Sequence, residues 1–118
     1  MCMNPYITYQ LFIELKNEST LTIGKLGEFY FPAGLYIYTG SAKQNFEARI
    51  QRHLSKDKKL RWHIDYLLDS PRAFVSSVER FVESECKINQ LTDGQILIEK
   101  FGATDCHEGC GSHLKYIS

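Results

Sequence analysis

Arg49 and His53 stand four residues apart in Ala48-Arg-Ile-Gln-Arg-His-Leu54. On a helix that spacing puts both on one face. An arginine there can grip a phosphate oxygen with its planar fork. A histidine one turn on can exchange a proton near neutral pH. Taken alone, such a pair is more often two surface residues with no shared task. Tyr36 and Tyr38 alternate with Leu35 and Ile37, so both face one side of a strand. Gly40 then lets the backbone turn closely. A phenol at a sheet edge can orient a water or a phosphate, but a reference pKa of about 10 means that it needs help to lose its proton. Simple packing is a strong reading for Tyr36 and a less strong one for Tyr38.

Three further groups carry chemistry. Trp62-His-Ile-Asp-Tyr66 sets His63 beside Trp62 and two residues before Asp65, and on a helix these three do not share a face. Tyr66, one turn after Trp62, can stack on it. Glu83 and Glu85 open a predicted helix, where a carboxylate can hold a divalent cation through oxygen or simply favour the helix N-terminus. Cys106, Cys110 and His113 could bind zinc, with Cys86 or His107 as a fourth ligand. Their spacing is irregular for zinc knuckles, and reduced, partly buried thiols are the more frequent alternative.

The elements that must position these residues follow from pattern. Residues 6–14 are rich in β-branched and aromatic types, as in a strand. Asn17-Glu-Ser reads as a turn. Leu21-Thr-Ile, Gly27-Glu-Phe-Tyr-Phe and Leu35-Tyr-Ile-Tyr-Thr read as short strands separated by Gly and Pro. A helix is predicted from Asn45 to Leu54, with Phe46, Ile50 and Leu54 as its buried stripe. A second helix is predicted from Leu60 to Leu68, stopped at Asp69-Ser-Pro. Ala73 to Phe81 reads as a strand with Phe74 and Val75 in the core. A third helix starts near Ser84 and breaks at Asp93-Gly94. A helical turn is expected over Gln95 to Phe101, a loop over residues 102–111, and a closing strand over Leu114-Lys-Tyr-Ile. The order is that of a small α/β domain of α+β type: a central antiparallel or mixed sheet flanked by about three helices.

The 118 residues suit one compact domain, and 43% hydrophobic with 24% charged residues is ordinary for a soluble globular chain. No apolar run approaches the ~18 residues a membrane helix needs. Met-Cys-Met-Asn-Pro-Tyr lacks the basic start and apolar core of a signal peptide. The expectation is a cytoplasmic protein with no membrane contact, in a compartment that keeps Cys2, Cys86, Cys106 and Cys110 reduced. Formal net charge is zero, but from Lys43 to His63 seven basic residues face two acidic ones, leaving +5 there and −5 elsewhere. Lys43, Arg52, Lys56, Lys58, Lys59 and His63 could therefore line a phosphate-facing surface. On charge alone, a solvated helix end and loop is the favoured reading.

In order and spacing, these residues together resemble the GIY-YIG nuclease superfamily. Tyr38-Thr-Gly40 is similar to its Tyr-Ile-Gly motif, with Thr39 in place of isoleucine. Arg49 falls at the family's approximate distance from that glycine, and His53 one turn on. The match looks closer to small bacterial and archaeal members, which carry stretches like Trp62 to Leu68, Glu85-Cys86, Thr104-Asp-Cys106, Cys110 and Ser112-His-Leu114. The resemblance spans nearly the whole chain. Asn4-Pro5-Tyr6 supplies the first motif's tyrosine without its glycine or isoleucine, extra strands lengthen the interval to Tyr38, and His113 falls where the family has an asparagine.

What the resemblance implies is a metal-dependent DNA phosphodiesterase active in repair or processing. Magnesium or manganese would sit on Glu85, with Glu83 as the alternative, and Arg49 would neutralise the non-bridging oxygens. Tyr6, Tyr38 or His53 would position or deprotonate the attacking water. The rival expectation is a non-catalytic nucleic-acid-binding or repair-accessory module on the same fold. No small-molecule ligand is expected, and oligomeric state is open.

Overall fold

β1 (Thr8–Leu15) is the strand around which the rest assembles, and its burial explains its composition. Thr8 to Leu11 are all buried, so this part of the strand is covered on both faces. Ile13 and Leu15 stay buried while Glu14 is exposed, which is the alternation of a half-covered strand. β1 pairs antiparallel with β4 (Gly34–Ser41) on one side and β5 (Ala73–Phe81) on the other. β6 (Leu114–Tyr116) adds to β4, giving the order β5-β1-β4-β6, all antiparallel. β2 (Ser19–Ile23) and β3 (Gly27–Phe31) form a separate two-stranded sheet joined by a 3-10 turn, Gly24–Leu26. With α1 (Phe46–Leu54), α2 (His63–Leu68) and α3 (Glu85–Leu91), the architecture is α+β. The computed structural model describes residues 6–42, 44–55, 59–60, 62–98, 101 and 112–118.

Register decides which side chains meet. Tyr9, Leu11, Ile13 and Leu15 lie opposite Gly40, Tyr38, Tyr36 and Gly34, so these eight share one face of the sheet. α1 covers that face, where the rings of Phe46 and His53 meet Tyr9. Ile64, Leu67 and Leu68 of α2, with Ile23 and Phe31 of the small sheet, complete the core. Tyr36 is fully buried, and its hydroxyl donates to the Pro32 carbonyl, so its part is packing.

α3 covers the opposite face at the end where Thr8 and Gln10 are buried. Gln10 Nε2 donates to the hydroxyls of Thr39 and Thr92 at 3.1 and 2.6 Å. Asn89 Nδ2 donates to the Ser112 carbonyl at 2.8 Å. The buried Lys115 reaches from β6 to donate to the Asn89 and Thr92 carbonyls, both at 2.9 Å, satisfying the C-terminal end of α3. Lys115→Met should keep the aliphatic packing and strand those carbonyls. We expect a stability loss of about 1–3 kcal/mol in urea unfolding, and a loss below about 0.5 kcal/mol would show that solvent replaces the ammonium.

Several local expectations shift for identifiable reasons. Leu54, expected in the α1 stripe, is 42% exposed, and His53 is buried instead at 2%. Seven residues span almost two turns at about 3.6 residues per turn, so His53 returns to the azimuth of Phe46, while Leu54 rotates past it. Phe74, expected in the core, is 38% exposed because Ala73 and Val75 pair with Leu15 and Ile13 on the covered face. The Lys16 ammonium lies over its ring at 5.4 Å. α2 begins at His63 rather than Leu60: Trp62 is extended, and its N–H donates to Asp65 Oδ2 at 2.9 Å, as a carboxylate in the first turn can do. α3 stops at Leu91, before Asp93-Gly94. Among the described residues, 95–98 do not form the helical turn expected over Gln95 to Phe101. Gln95 instead exchanges two backbone hydrogen bonds with Tyr116 at 2.8 Å, and Ile98 and Phe101 are buried.

Candidate active site

Gly40 sits at the centre of the site because of what it lacks. A Cβ there would stand 2.5 Å from Tyr9 Oη, so the glycine of Tyr38-Thr-Gly40 is the floor on which the Tyr9 ring lies. Tyr9 Oη is 2.7 Å from His53 Nε2. The Tyr38 ring meets the same imidazole edge-on at 6.2 Å between centroids. Burial pushes both phenols upward in pKa, Tyr38 strongly. The nearby Arg49 charge pulls the other way at each. Both hydroxyls therefore hold their protons firmly at neutral pH.

Arg49 rises from the first half of α1. Its Nη1 donates to the Ser41 carbonyl at 3.0 Å, where β4 ends, and its guanidinium stacks 4.9 Å above the Trp62 ring. Glu85 approaches from the other side as the first residue of α3, whose N-terminus is capped by Ser84 Oγ accepting from the Lys87 N–H. Glu85 is partly buried, which raises its pKa. A hydrogen bond from Ser41 and the charge of Arg49 oppose that rise. The buried His113 places Nδ1 3.5 Å from Glu85 Oε1. Main-chain bonds hold His113 there: its carbonyl accepts from Thr39 N–H, and its N–H donates to the Phe101 carbonyl. Tyr9, Tyr38, Arg49, His53 and Glu85 thus converge around Gly40-Ser41.

Other predicted site residues lie elsewhere. Tyr6 precedes β1, is 39% exposed and stacks on Phe46 at 6.4 Å. Arg52 forms a two-point pair with Asp65, both contacts at 3.0 Å, and also donates to the Lys59 carbonyl. That geometry holds the Arg52 fork inside the protein surface rather than presenting it outward. Lys59 is exposed. His63 is half-buried against Phe101, and burial lowers its pKa. Glu83 is exposed, and its carbonyl accepts from the Thr8 hydroxyl. Cys86 is half-buried. Lys43, Lys56, Lys58, Cys106, His107 and Cys110 lie outside the described residues.

One member of the cluster, Tyr9, is not singled out by sequence pattern, because its neighbour Tyr6 answers the motif. Pattern marks Asp65 but not its pairing with Arg52, which depends on the fold. Register supplies the signal for Tyr9: pairing β1 with β4 so that their apolar positions align sets Tyr9 opposite Gly40. Among the described residues no helix is long and apolar enough to cross a membrane. The sequence model of the family described as "Domain of unknown function DUF123" matches residues 8–118. No curated protein and no solved structure matches the chain.

Proposed function

The chain belongs to the DUF123 family across residues 8–118, and from that premise we propose that it is a divalent-metal-dependent DNA endonuclease of the GIY-YIG type, working in the cytoplasm in DNA repair or processing. The observation that carries this reading is the convergence of a carboxylate, an arginine and a tyrosine–histidine pair at one end of the sheet. A phosphodiester cut by water needs three things: neutralisation of the phosphate charge, a route for the proton of the attacking water, and stabilisation of the leaving oxygen.

Glu85 fits a hard cation. Magnesium and manganese take oxygen ligands, and magnesium commonly uses one or two carboxylates while keeping waters and substrate phosphate oxygens. One partly buried carboxylate whose charge is only partly compensated by Ser41 and Arg49 suits that pattern. The metal would supply Lewis-acid stabilisation at the phosphate and leaving oxygen. Arg49, anchored to Ser41 and Trp62 through part of its guanidinium, offers the remaining donors to a non-bridging oxygen. Tyr9 handles the proton. With burial holding both phenols protonated, a free tyrosinate is a poor resident base. The Tyr9–His53 contact offers another route: water gives its proton to Tyr9 Oη as the Tyr9 proton passes to His53 Nε2. The hydroxide formed attacks phosphorus, the bond to the ester oxygen breaks, and that oxygen takes up a proton from solvent while His53 releases the one it gained.

Incubation with supercoiled and branched DNA in magnesium or manganese tests the proposal. Wild type should cut, and Arg49→Ala should cut about 10²–10³-fold more slowly, the usual effect of losing one preorganised donor at a developing oxyanion. Arg49→Lys should not restore the rate, because a single ammonium cannot keep both the Ser41 anchor and a phosphate contact. No cutting by wild type, or equal cutting by Arg49→Ala, would sink the proposal. Binding without cutting that weakens steeply with salt would point to a non-catalytic DNA-binding module.

A further inference from the structure

Asp65 lies behind the Tyr9–His53 pair, and the cleavage chemistry above does not use it. It is fully buried. Both carboxylate oxygens accept from Arg52 at 3.0 Å, and Oδ2 also accepts the Trp62 backbone N–H at 2.9 Å. Oδ1 then faces His53 Nδ1 at 4.0 Å, longer than a hydrogen bond and well within the range of charge attraction. On the far side of the same ring, Nε2 is 2.7 Å from Tyr9 Oη. Trp62 closes the third side, its ring 5.7 Å from the imidazole, with the Arg49 and Arg52 guanidiniums at 4.9 and 4.3 Å from the indole. The imidazole is thus held between a carboxylate and a phenol, with a wall that prevents it from swinging away.

A negative oxygen on the Nδ1 side favours the proton there. In a neutral ring this leaves Nε2 as an acceptor. The Tyr9 hydroxyl must then donate to His53, which leaves the lone pairs of its own oxygen as acceptors. The opposite tautomer would make Tyr9 the acceptor from His53 and cancel its ability to pass a proton inward. We propose that Asp65 is a positioning residue that holds neutral His53 as the Nδ1–H tautomer, so that Nε2 accepts from Tyr9 and the Tyr9 oxygen is left as an acceptor for the proton of the attacking water. Trp62 and Arg52 belong to this arrangement: the first fixes the ring, the second fixes the carboxylate. The consequence for cleavage rests on the phosphodiesterase reading, whereas the tautomer itself does not.

Nitrogen-15 NMR of histidine-labelled protein, at a pH where the ring is neutral, reads the tautomer directly and needs no DNA. Wild type should show a protonated Nδ1 and an unprotonated Nε2 for His53. Asp65→Asn should lose that preference or reverse it, since an amide can donate to Nδ1. In a cleavage assay the same variant should lose about 10²–10⁴-fold in kcat with KM for DNA little changed, as expected when an orienting carboxylate becomes an amide. If Asp65→Asn does not fold, Tyr9→Phe decides: with Tyr9 gone, Asp65 should still hold the proton on Nδ1. A wild-type Nε2–H ring, a switch to Nε2–H in Tyr9→Phe, or an unchanged tautomer in folded Asp65→Asn would each overturn the proposal. If the tautomer behaves as stated and no form of the protein cuts DNA, the positioning role stands and the phosphodiesterase reading falls.

Discussion

Replacing Glu85 with glutamine is expected to slow DNA cleavage about a thousand-fold and, in the absence of metal, to raise the melting temperature of the protein. The first effect follows from the proposed role: several kcal/mol of Lewis-acid stabilisation depend on that carboxylate, at about 1.4 kcal/mol per tenfold in rate. The second follows from its surroundings. Burial raises the Glu85 pKa above its reference value of 4.5, and the help from Ser41 and Arg49 does not cancel this. The folded state therefore binds a proton more tightly than the unfolded state does. Stability linked to that proton is present below the unfolded pKa and is lost as pH rises through the folded one. At neutral pH the wild type carries the cost of a partly desolvated charge, and glutamine removes it while keeping an acceptor for the Ser41 hydroxyl. The gap in melting temperature should close as the pH falls below 4.5. Magnesium or manganese should raise the melting temperature of wild type, by binding only the folded state, and leave Glu85→Gln unmoved. Thermal scans across pH, with and without metal, check this. A variant less stable than wild type at neutral pH would show that the carboxylate serves packing, and an unchanged cleavage rate would remove Glu85 from the chemistry.

The sequence and the structure part company where long-range pairing decides the outcome. β3 and β5 fall on Gly27–Phe31 and Ala73–Phe81 as composition alone predicts, because strand-forming types and Gly or Pro boundaries are local signals. The Arg49/His53 spacing is equally local, and both residues do lie on α1. Whether His53 points inward is not local: it depends on α1 packing through its Phe46 azimuth on Tyr9. Tyr9 acquires its place only when β1 pairs with β4, which aligns it with a glycine 31 positions away. Asp65 is a similar case. Placed on one helix, Trp62 and Asp65 would be i, i+3 neighbours through their side chains; with Trp62 extended ahead of the helix, it is its backbone N–H that meets the carboxylate. A strand register and a helix start, each shifted by a few residues, separate a plausible list of reactive residues from a site.

The contrast between Tyr6 and Tyr9 gives the sharpest test of that lesson. Tyr6→Phe should cut DNA within about twofold of wild type: the residue is exposed, and phenylalanine keeps the stacking on Phe46. Tyr9→Phe should lose about 10²–10⁴-fold in kcat, the range for removing a group that moves a proton in the transition state. It should also lose about 1–3 kcal/mol of stability, because the buried His53 Nε2 gives up its 2.7 Å partner. DNA affinity should change little in either variant, since neither hydroxyl carries charge. Single-turnover rates, equilibrium binding and urea unfolding on the two variants separate these effects. An inactive Tyr6→Phe beside an active Tyr9→Phe would mean that the segment before β1 folds over the site when DNA binds. The proton would then travel through Tyr6, and the Tyr9–His53 contact would be a structural hydrogen bond. The reverse pattern would tie catalysis to the residue that strand register, rather than motif spelling, brings to Gly40. It would also explain why the first motif reads as degraded: the working tyrosine stands three positions later in the chain, inside the strand, where its ring is held between Gly40 and His53.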